Sequence, residues 1–342
     1  MSKGVATSRS SSRRMTLLQM MTGHWVTQAI YVAAKLGIPD LLAKGPLSRE
    51  HLAARTRTHE RSLHRLLRAL SSIGIFSEVT PTHFANTPLS NLLRTDRFDS
   101  MRALAMLYAE ESYRAWGDML YSVCTGQSAF GHQFGMDVFE FFATNPEAAA
   151  IFNTAMTGLM IQIADAVAAS YDFSVFQTVV DVGGNQGTLL AAILKSYPSL
   201  RGMLFDLPHV VTGAGPVLMR AGVEHRCTRI GGDFFDRIPP GGDAYVLASV
   251  LHDWDDERCA AILRRCRQVT PGHGKLLIVE MVLPPGNEPF FGKWVDLHML
   301  VMANGCERTV EDYAVLLRSA GFVLARLVTT GTGRSILEAV PA

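Results

Sequence analysis

The sequence predicts an α/β protein whose C-terminal half is built on a parallel sheet covered by helices, preceded by a mostly helical part. From Phe173 onward, short apolar runs such as TVVDVGG, DAYVLASV and GKLLIVEMVLP alternate with helical segments. Near-continuous apolar strands of this kind are typical of a parallel sheet buried on both faces. Before Phe173, apolar residues recur at helical spacing instead.

Composition narrows the class of protein. The 342 residues are 48% hydrophobic and 18% charged, which is typical of a globular chain, and the length favours two domains. A net charge of +1 argues against a nucleic-acid binder or a membrane-surface protein. Five scattered cysteines without a CxxC pair indicate reduced thiols, so a cytoplasmic location is expected. The polar start lacks the apolar core of a secretory signal.

Four segments are predicted along the chain. Residues 1–14, rich in Ser and Arg, are expected to be a disordered tail. Residues 15–105 contain a helix-turn-helix and a hairpin, IFSEVTPTHFANT, which together form a winged-helix-like pattern. Residues 106–170 are helical and rich in Met, Phe and Ala, and residues 171–342 carry the alternating strands and helices.

The stretch VVDVGGNQGTLLAAIL predicts a strand, a glycine-rich turn and a helix. Gly183, Gly184 and Gly187 allow a tight turn and close approach of a ligand, although a tight turn alone would also explain them. Asp206 lies about twenty residues later at a strand end, where an acid can accept hydrogen bonds from both ribose hydroxyls. NAD and S-adenosylmethionine both fit. Asp181 before the loop would repel a pyrophosphate, which favours S-adenosylmethionine.

Two further motifs follow strands. In GGDFFD, Asp233 could accept from an adenine amine while Phe234 packs on the ring; a polar loop with a core phenylalanine is an equal alternative. LHDWDDERC places His252 at the carboxyl end of a strand, where open α/β sheets bind ligands. His252 could be a base, a metal ligand or a polar strand end. Hard cations need converging oxygen ligands, and the acids after His252 point in different directions at a helix start, so no metal is expected.

These motifs, with the strand LLIVE and with NGCERT, occur in an order that resembles the plant-type S-adenosylmethionine-dependent O-methyltransferases and their bacterial relatives, which modify aromatic natural products. The resemblance covers nearly the whole chain. It implies a Rossmann-like class I methyltransferase domain, a winged-helix-like dimerisation domain, and S-adenosyl-L-methionine as cofactor with S-adenosyl-L-homocysteine as product. Asn185 replaces the family's usual third glycine, and we expect the loop shape to be kept because Asn tolerates left-handed angles. Ala248 stands where some relatives carry Lys or Arg, a contact that Ser249 could supply.

The resemblance also assigns roles: His252 is the general base, and Glu280 and Glu307 orient it. A phenol has a pKa near 10 and an imidazole near 6.5, so full proton transfer in water costs roughly 5 kcal/mol. Carboxylates that stabilise the imidazolium lower that cost. Asp253 is a candidate on the substrate side, with a helix N-terminal acid as the alternative.

The remaining candidates form two sets. The cofactor set comprises Asp181, Gly183, Gly184, Gly187, Asp206, Leu207, Gly232, Asp233, Phe234 and Ser249. Candidate walls of a substrate pocket, each of which could equally be an ordinary core residue, are Phe141, Phe152, Asn153, Met156, Met160, Trp294, Met299 and Met302.

Two alternatives stay open. A winged-helix regulator would use the arginines at positions 61, 65 and 68 to bind DNA. A relative with the same cofactor could hydroxylate, decarboxylate or cyclise its substrate; the complete set of His252, Glu280 and Glu307 favours methylation. We therefore expect metal-independent O-methylation of a small aromatic substrate at a phenolic hydroxyl. The enzyme is expected to be a homodimer joined through its apolar N-terminal helices, with no nucleic-acid or membrane partner.

Overall fold

The structure is a computed structural model that describes residues 3–342, with side chains from Ser12 onward. The chain divides into two compact units, Met1–Glu111 and Ser112–Ala342. Residues 112–170 belong to the second unit because the long helix that ends at Ser170 packs on the first helix of the sheet domain.

The N-terminal unit is a helical domain with a small antiparallel sheet. Its helices are α1 (Lys3–Met21), α2 (Gly23–Lys35), α3 (Ile38–Leu41), α4 (Arg49–Thr56), α5 (Glu60–Ser72), α6 (Pro88–Asn91) and α7 (Arg102–Ala109). Its strands, in the order β1-β3-β2, are β1 (Leu47–Ser48), β2 (Phe76–Thr80) and β3 (His83–Asn86). Ser48 caps α4 by accepting from the His51 amide, and Leu67 and Phe84 are among the fully buried core residues. The helix-turn-helix and hairpin therefore form as predicted.

The start of the chain differs from the prediction. Residues 3–14 are helical within α1, where a disordered tail over 1–14 is expected; Met1 and Ser2 lie outside the described residues. Once the following apolar run MTLLQMM is helical, each added residue extends an existing helix at little cost, and no proline interrupts it.

The second unit contains a seven-stranded sheet. Its strands are β4 (Thr178–Val182), β5 (Arg201–Asp206), β6 (Cys227–Gly231), β7 (Ala244–Ala248), β8 (Lys275–Glu280), β9 (Phe322–Thr329) and β10 (Ser335–Pro341). Its helices are α8 (Glu111–Gly117), α9 (Met119–Thr125), α10 (Ala129–Phe134), α11 (Val138–Thr144), α12 (Pro146–Ser170), α13 (Thr188–Ser196), α14 (Pro208–Val211), α15 (Gly215–Arg220), α16 (Asp256–Val269), α17 (Gly292–Ala303) and α18 (Val310–Ser319).

Strand order determines where a ligand can bind. The order is β6-β5-β4-β7-β8-β10-β9; β4 to β8 are parallel, and β10 is antiparallel to both neighbours. Strand order reverses at the boundary between the neighbouring strands β4 and β7. Open α/β sheets bind ligands at such a switch point. The loops that follow these two strands therefore meet at the carboxyl edge. Because β10 runs the opposite way, its first residue also lies at that edge.

The core occupies both faces of the sheet, as predicted. One face is covered by α12 and α13 through side chains such as Val167 and Leu190, and the other by α16 and α18 through Leu263 and Leu317. Within the described residues, α12 is the helix long and apolar enough to cross a membrane by length and composition. Ala164, Val167 and Ala168 of this helix are buried in the core, and 17% of its most apolar stretch is buried in total.

Candidate active site

The loop after β4 passes too close to its neighbours for side chains. A Cβ on Gly184 would lie 2.5 Å from Leu204 Cδ1 and 2.6 Å from the Asp181 carboxyl carbon, so this position requires glycine. Gly183 and Gly187 have φ of +71° and +78°. Asn185 adopts φ +51°, and the loop thus keeps the left-handed turn expected when Asn replaces glycine. Close packing and left-handed angles thus account for the three glycines of this turn.

Asp206 at the end of β5 faces this loop. Its Oδ2 accepts from the Asn185 amide at 2.8 Å and its Oδ1 from the Leu207 amide at 2.7 Å. Burial raises the pKa of this carboxyl. Each oxygen keeps a lone pair, so the oriented carboxylate is able to accept from a diol as well.

Asp181 lies beneath the loop and is 2% exposed. Neither of its carboxylate oxygens has a partner at hydrogen-bond geometry among the described residues. Burial, followed by repulsion from Asp206, raises its pKa to about 7, and a weaker interaction with the Leu190 backbone opposes this rise. The buried oxygens Ser249 Oγ and Asn185 Oδ1 lack partners in the described chain as well. A concave loop lined by unsatisfied acceptors fits a ligand that carries a positive charge, as S-adenosylmethionine does on its amine and its sulfonium.

The GGDFFD loop lies beside the glycine loop. The Gly232 amide donates to the Asp206 carbonyl at 2.9 Å, and the Phe234 ring lies 3.6 Å from the position that a Cβ on Gly183 would occupy. Asp233 is exposed, and its Oδ1 accepts from the Phe235 amide at 2.8 Å. Asp233 thus closes a turn, as in the polar-loop alternative, while Phe234 lies next to the loop, where the cofactor hypothesis requires it.

His252 follows β7 in a single 3-10 turn, Leu251–Asp253, and is 8% exposed. Ser249, two residues before the turn, has φ +55° and donates its amide to the Val279 carbonyl at 3.1 Å. His252 Nδ1 donates to Glu307 Oε1 at 2.7 Å and lies 3.9 Å from Glu280 Oε2. The predicted base and both predicted acids are therefore brought together from a turn, a strand end and a loop that are far apart in the sequence.

Two acids fix the backbone around His252, one at its own turn and one at the loop that carries Glu307. Glu280, completely buried at the end of β8, accepts on Oε1 from the Val250 and Leu251 amides at 3.0 and 3.1 Å. The Glu307 amide donates to Asp296 Oδ1 at 3.0 Å, which anchors the NGCERT loop. The imidazole is thus oriented by a carboxylate whose own backbone is fixed.

The NGCERT loop also packs directly on the turn. A Cβ on Gly305 would collide with the His252 carbonyl oxygen, so only glycine fits there. Buried Arg308 donates to the carbonyls of Leu251 at 3.0 Å and Trp254 at 2.9 Å. Gly305 and Arg308 therefore hold the NGCERT loop, and with it Glu307, against the His252 turn.

Asp253 is not the helix N-cap that the alternative interpretation would require. Asp255 caps α16 by accepting from the Arg258 amide at 2.8 Å. Asp253 Oδ1 lies instead 3.6 Å from His252 Nε2, and burial raises the Asp253 pKa to about 6. This acid consequently stands on the side of the imidazole opposite Glu307.

The charges of three nearby carboxylates outweigh the effect of burial on the pKa of His252. Burial lowers the pKa of His252, but Glu280, Asp253 and Glu307 together raise it to about 10. Burial raises the pKa of Glu280 to about 7. At neutral pH His252 is therefore an imidazolium, and once it loses its proton it is a far stronger base than free imidazole.

His252, Glu280 and Glu307 also offer ligand atoms within 4.8 Å of one another, a spacing compatible with a metal ion. The atoms are otherwise engaged: Nδ1 of His252 donates to Glu307, and Glu280 Oε1 accepts two amides. Arg334 Nη1, a cation, lies 3.8 Å from Glu280 Oε2. The set is arranged as a hydrogen-bonded acid–base cluster, and the expected absence of a metal stays a prediction.

The candidate pocket residues fall in different environments. Phe152 stacks on Phe142 with ring centroids 4.5 Å apart, and the Asn153 carbonyl accepts from Asn185 Nδ2 at 3.5 Å, which places this part of α12 beside the glycine loop. Met160 packs into the sheet core, and Trp294 is 64% exposed. The others are Phe141, packed edge-on against Phe130; Met156, partly buried on α12; and Met299 and Met302, buried on α17, which packs on the His252 turn.

Two polar residues near the cluster are not among the predicted site residues. His298 on α17 accepts on Nδ1 from Trp116 Nε1 at 2.9 Å, and burial, together with the charge of His252, lowers its pKa to about 4. Arg334 immediately precedes β10, and its Nη1 lies 3.8 Å from Glu280 Oε2. The sequence carries little signal for either, because both approach the site through long-range packing.

Comparison with known proteins gives a consistent family. Residues 116–323 match the O-methyltransferase domain and residues 18–96 the O-methyltransferase dimerisation domain. The phenazine O-methyltransferase PhzM of Lysobacter antibioticus is 53% identical over 325 residues, 95% of each chain. The 3-amino-4-hydroxybenzoate 4-O-methyltransferase of Streptomyces cremeus is 40% identical over 320 residues, 92% of this chain and 86% of the relative.

Solved structures of relatives superpose over more than nine-tenths of this chain. The crystal structure of LaPhzM superposes with a TM-score of 0.94 at 52% identity, covering 96% of this chain and 99% of that one. The O-methyltransferase NcsB1 from neocarzinostatin biosynthesis, solved with S-adenosylmethionine and 2-hydroxy-5-methyl naphthoic acid, superposes with a TM-score of 0.80 at 31% identity, covering 93% of this chain and 96% of that one.

Proposed function

Because the chain belongs to the S-adenosylmethionine-dependent O-methyltransferases of the natural-product type, we propose that it methylates a phenolic hydroxyl of a small aromatic natural product, with His252 as general base and without a metal. The observation that carries this proposal is the 2.7 Å hydrogen bond from His252 Nδ1 to Glu307. It fixes the ring and leaves Nε2 as the nitrogen that can accept a proton.

The electrostatics match a phenol. Free imidazole is about 3.5 pKa units too weak to deprotonate a phenol fully, a cost of roughly 5 kcal/mol. The surrounding carboxylates raise the pKa of His252 to about 10, which removes most of this mismatch. A neutral phenol that enters beside the imidazolium must release one proton overall, so turnover should rise with pH from neutrality toward 10.

Each candidate cofactor residue is assigned to a different part of S-adenosylmethionine. Bound S-adenosylmethionine supplies a methyl group on a sulfonium, which departs as the neutral thioether. Asp206 is oriented to accept from the ribose diol, Phe234 to pack on the adenine, and Asp181 with Ser249 to face the cationic end. Charge complementarity around the loop supports these assignments.

We also propose the aromatic nature of the acceptor from the surroundings of α11 and α12. Phe139, Phe142 and Phe152 form a contiguous ring cluster, with centroids 4.5 to 6.4 Å apart, and Phe139 stacks on Trp254 at 5.0 Å. Trp254 directly follows the His252 turn. An aromatic acceptor would extend such a cluster, because offset and edge-on ring contacts favour aromatic neighbours. The named relatives act on phenazine and hydroxybenzoate, which agrees with this class.

The test is a methylation screen with purified protein, S-adenosylmethionine and a panel of hydroxyphenazines, aminohydroxybenzoates and hydroxynaphthoates. Matched compounds carry hydrogen or an amine in place of the hydroxyl. We expect the gain of one methyl group, on oxygen, only where the hydroxyl is present, and no effect of EDTA. Methylation on nitrogen, or loss of a group other than hydrogen, would contradict the proposal of O-methylation of a phenol. Abolition by EDTA with rescue by magnesium would restore the metal hypothesis.

A further inference from the structure

Arg334 is placed at the catalytic cluster by topology. Strand β10 is antiparallel to β8, and its first residue, Ser335, pairs with Glu280 at the carboxyl edge. Arg334 comes one residue before this pair, in a tight turn that Thr330 closes by donating from its hydroxyl to the Arg334 carbonyl at 2.7 Å. The guanidinium is therefore delivered to the end of β8 by the backbone of the hairpin.

The contact between Arg334 and Glu280 is incomplete. Glu280 uses Oε1 for two backbone amides, while Oε2 has no hydrogen-bond partner in the described chain. Arg334 Nη1 also lacks one within the described residues, and the two atoms lie 3.8 Å apart. The Arg334 side chain is 11% exposed and that of Glu280 is 0% exposed. At this burial and distance an arginine acts on the carboxylate chiefly through its charge.

A positive charge beside the cluster of His252, Glu280, Glu307 and Asp253 would stabilise its ionised carboxylates. With three carboxylates ionised around one imidazolium, its net charge is −2, and burial opposes every ionised acid. Arg308 is committed to Asp256 and to two carbonyls. The titratable and charged groups that act on Glu280 or are acted on by it are His252, Asp253 and Glu307, Arg334, Tyr313 on α18 and Cys259 on α16.

We propose that Arg334 is a positioning residue for the methyl transfer: its guanidinium keeps the Glu280 carboxylate ionised, so that Glu280 can stabilise the His252 imidazolium. This inference rests on the proposed roles of His252 and Glu280. Because Glu280 Oε2 is 3.9 Å from His252 Nδ1, the charge is relayed over two short steps, from Arg334 to Glu280 and from Glu280 to His252.

The test compares the pH dependence of kcat in Arg334→Met and Arg334→Lys at saturating cofactor. Removing the guanidinium takes a positive charge away from the coupled Glu280 and His252, so the cluster should hold its protons to a higher pH and the acid limb of Arg334→Met should shift upward by about one pH unit. Arg334→Lys, which keeps the charge, should restore most of the wild-type profile. Arg326→Met is the matched control, because Arg326 lies on the neighbouring strand of the same hairpin and pairs with Glu338; its acid limb should not move.

A double mutant separates a relay from a merely structural role. In a Glu280→Gln background, Arg334→Met should cause a much smaller shift, since the carboxylate beside the guanidinium is gone and only its effect on Asp253 remains. An equal shift in that background, or a wild-type acid limb in Arg334→Met, would overturn the proposal. Should Glu280→Gln fail to fold, carboxyl NMR of ¹³C-glutamate-labelled protein replaces it: one buried resonance should titrate at higher pH in Arg334→Met and not in Arg326→Met. Wild-type turnover in His252→Gln would instead contradict the proposed function itself.

Discussion

Asp206 and Asp181 lie near the ends of adjacent strands, and the hydrogen bonding of their carboxylates differs. Both oxygens of Asp206 accept backbone amides, whereas those of Asp181 have no partner among the residues described. The first arrangement presents an oriented acceptor, and the second stores an unfavourable buried charge. The two residues should therefore respond differently to substitution.

Asp206→Ala should weaken S-adenosylmethionine binding by roughly 1–3 kcal/mol, because buried hydroxyls lose a charged acceptor. Asp206→Asn, which keeps one acceptor oxygen, should fall between Ala and wild type. Titration calorimetry measures both. Unchanged affinity in the Ala variant would remove Asp206 from the cofactor site.

Asp181→Asn should make the ligand-free protein more stable than wild type at pH 8. The folded-state pKa is raised to about 7, so between about pH 4 and 7 the folded state keeps a proton that the unfolded state releases. Wild-type stability therefore falls as pH rises through this window, by ~1–4 kcal/mol, and Asn removes the effect. Thermal unfolding at several pH values checks the difference, which should grow up to pH 7 and then level off. Cofactor affinity should drop in the same variant. A pH-independent difference would argue that Asp181 is not a strained buried acid.

At the scale of elements, the strands that carry the site were predictable because each is a short, nearly continuous apolar run followed by its functional residue. Asp206 and Glu280 end such runs, and His252 follows one closely. The hairpin of β9 and β10 gave no comparable signal, since its pairing with β8 joins residues 55 to 63 positions apart. Arg334 was missed for that reason. The helix at residues 3–14 was missed because its composition favours no packed face.

The contact between the NGCERT loop and the His252 turn gives a prediction at this scale. Gly305→Ala should displace residues 251–253, because the added Cβ would collide with the His252 carbonyl. We expect a loss of about 1–3 kcal/mol in stability and a large loss of turnover, with cofactor affinity nearly kept. Gly272→Ala is the matched control, since a Cβ there meets nothing within 4 Å. Equal effects in the two variants, measured by thermal unfolding and steady-state kinetics, would contradict the role of this contact.

At the scale of the whole molecule, the N-terminal helices expose a large apolar surface. Met20 and Trp25 are 72% and 65% exposed, and Leu17, Leu18 and Met21 are exposed as well. Monomeric proteins rarely leave such a patch in water. Together with the match of residues 18–96 to a dimerisation domain, this surface supports a homodimer.

We predict a dimer in solution at micromolar concentration, joined mainly through these helices, with more than roughly 2,000 Å² buried. Light scattering measures the mass. Leu18→Glu together with Trp25→Glu should yield a monomer or an aggregate, whereas a monomeric wild-type protein would show that the patch has another use.

The most direct measurement of the central claim is the pH profile of turnover in His252→Gln on an acceptor identified by the methylation screen. If His252 is the base, turnover at neutral pH should fall by about 10²–10⁴-fold, with cofactor affinity nearly intact. Residual activity should rise with pH as the phenolate forms without help, and Glu307→Gln should cost less because it orients the ring. Wild-type turnover in His252→Gln, or a residual activity that stays flat with pH, would contradict the account.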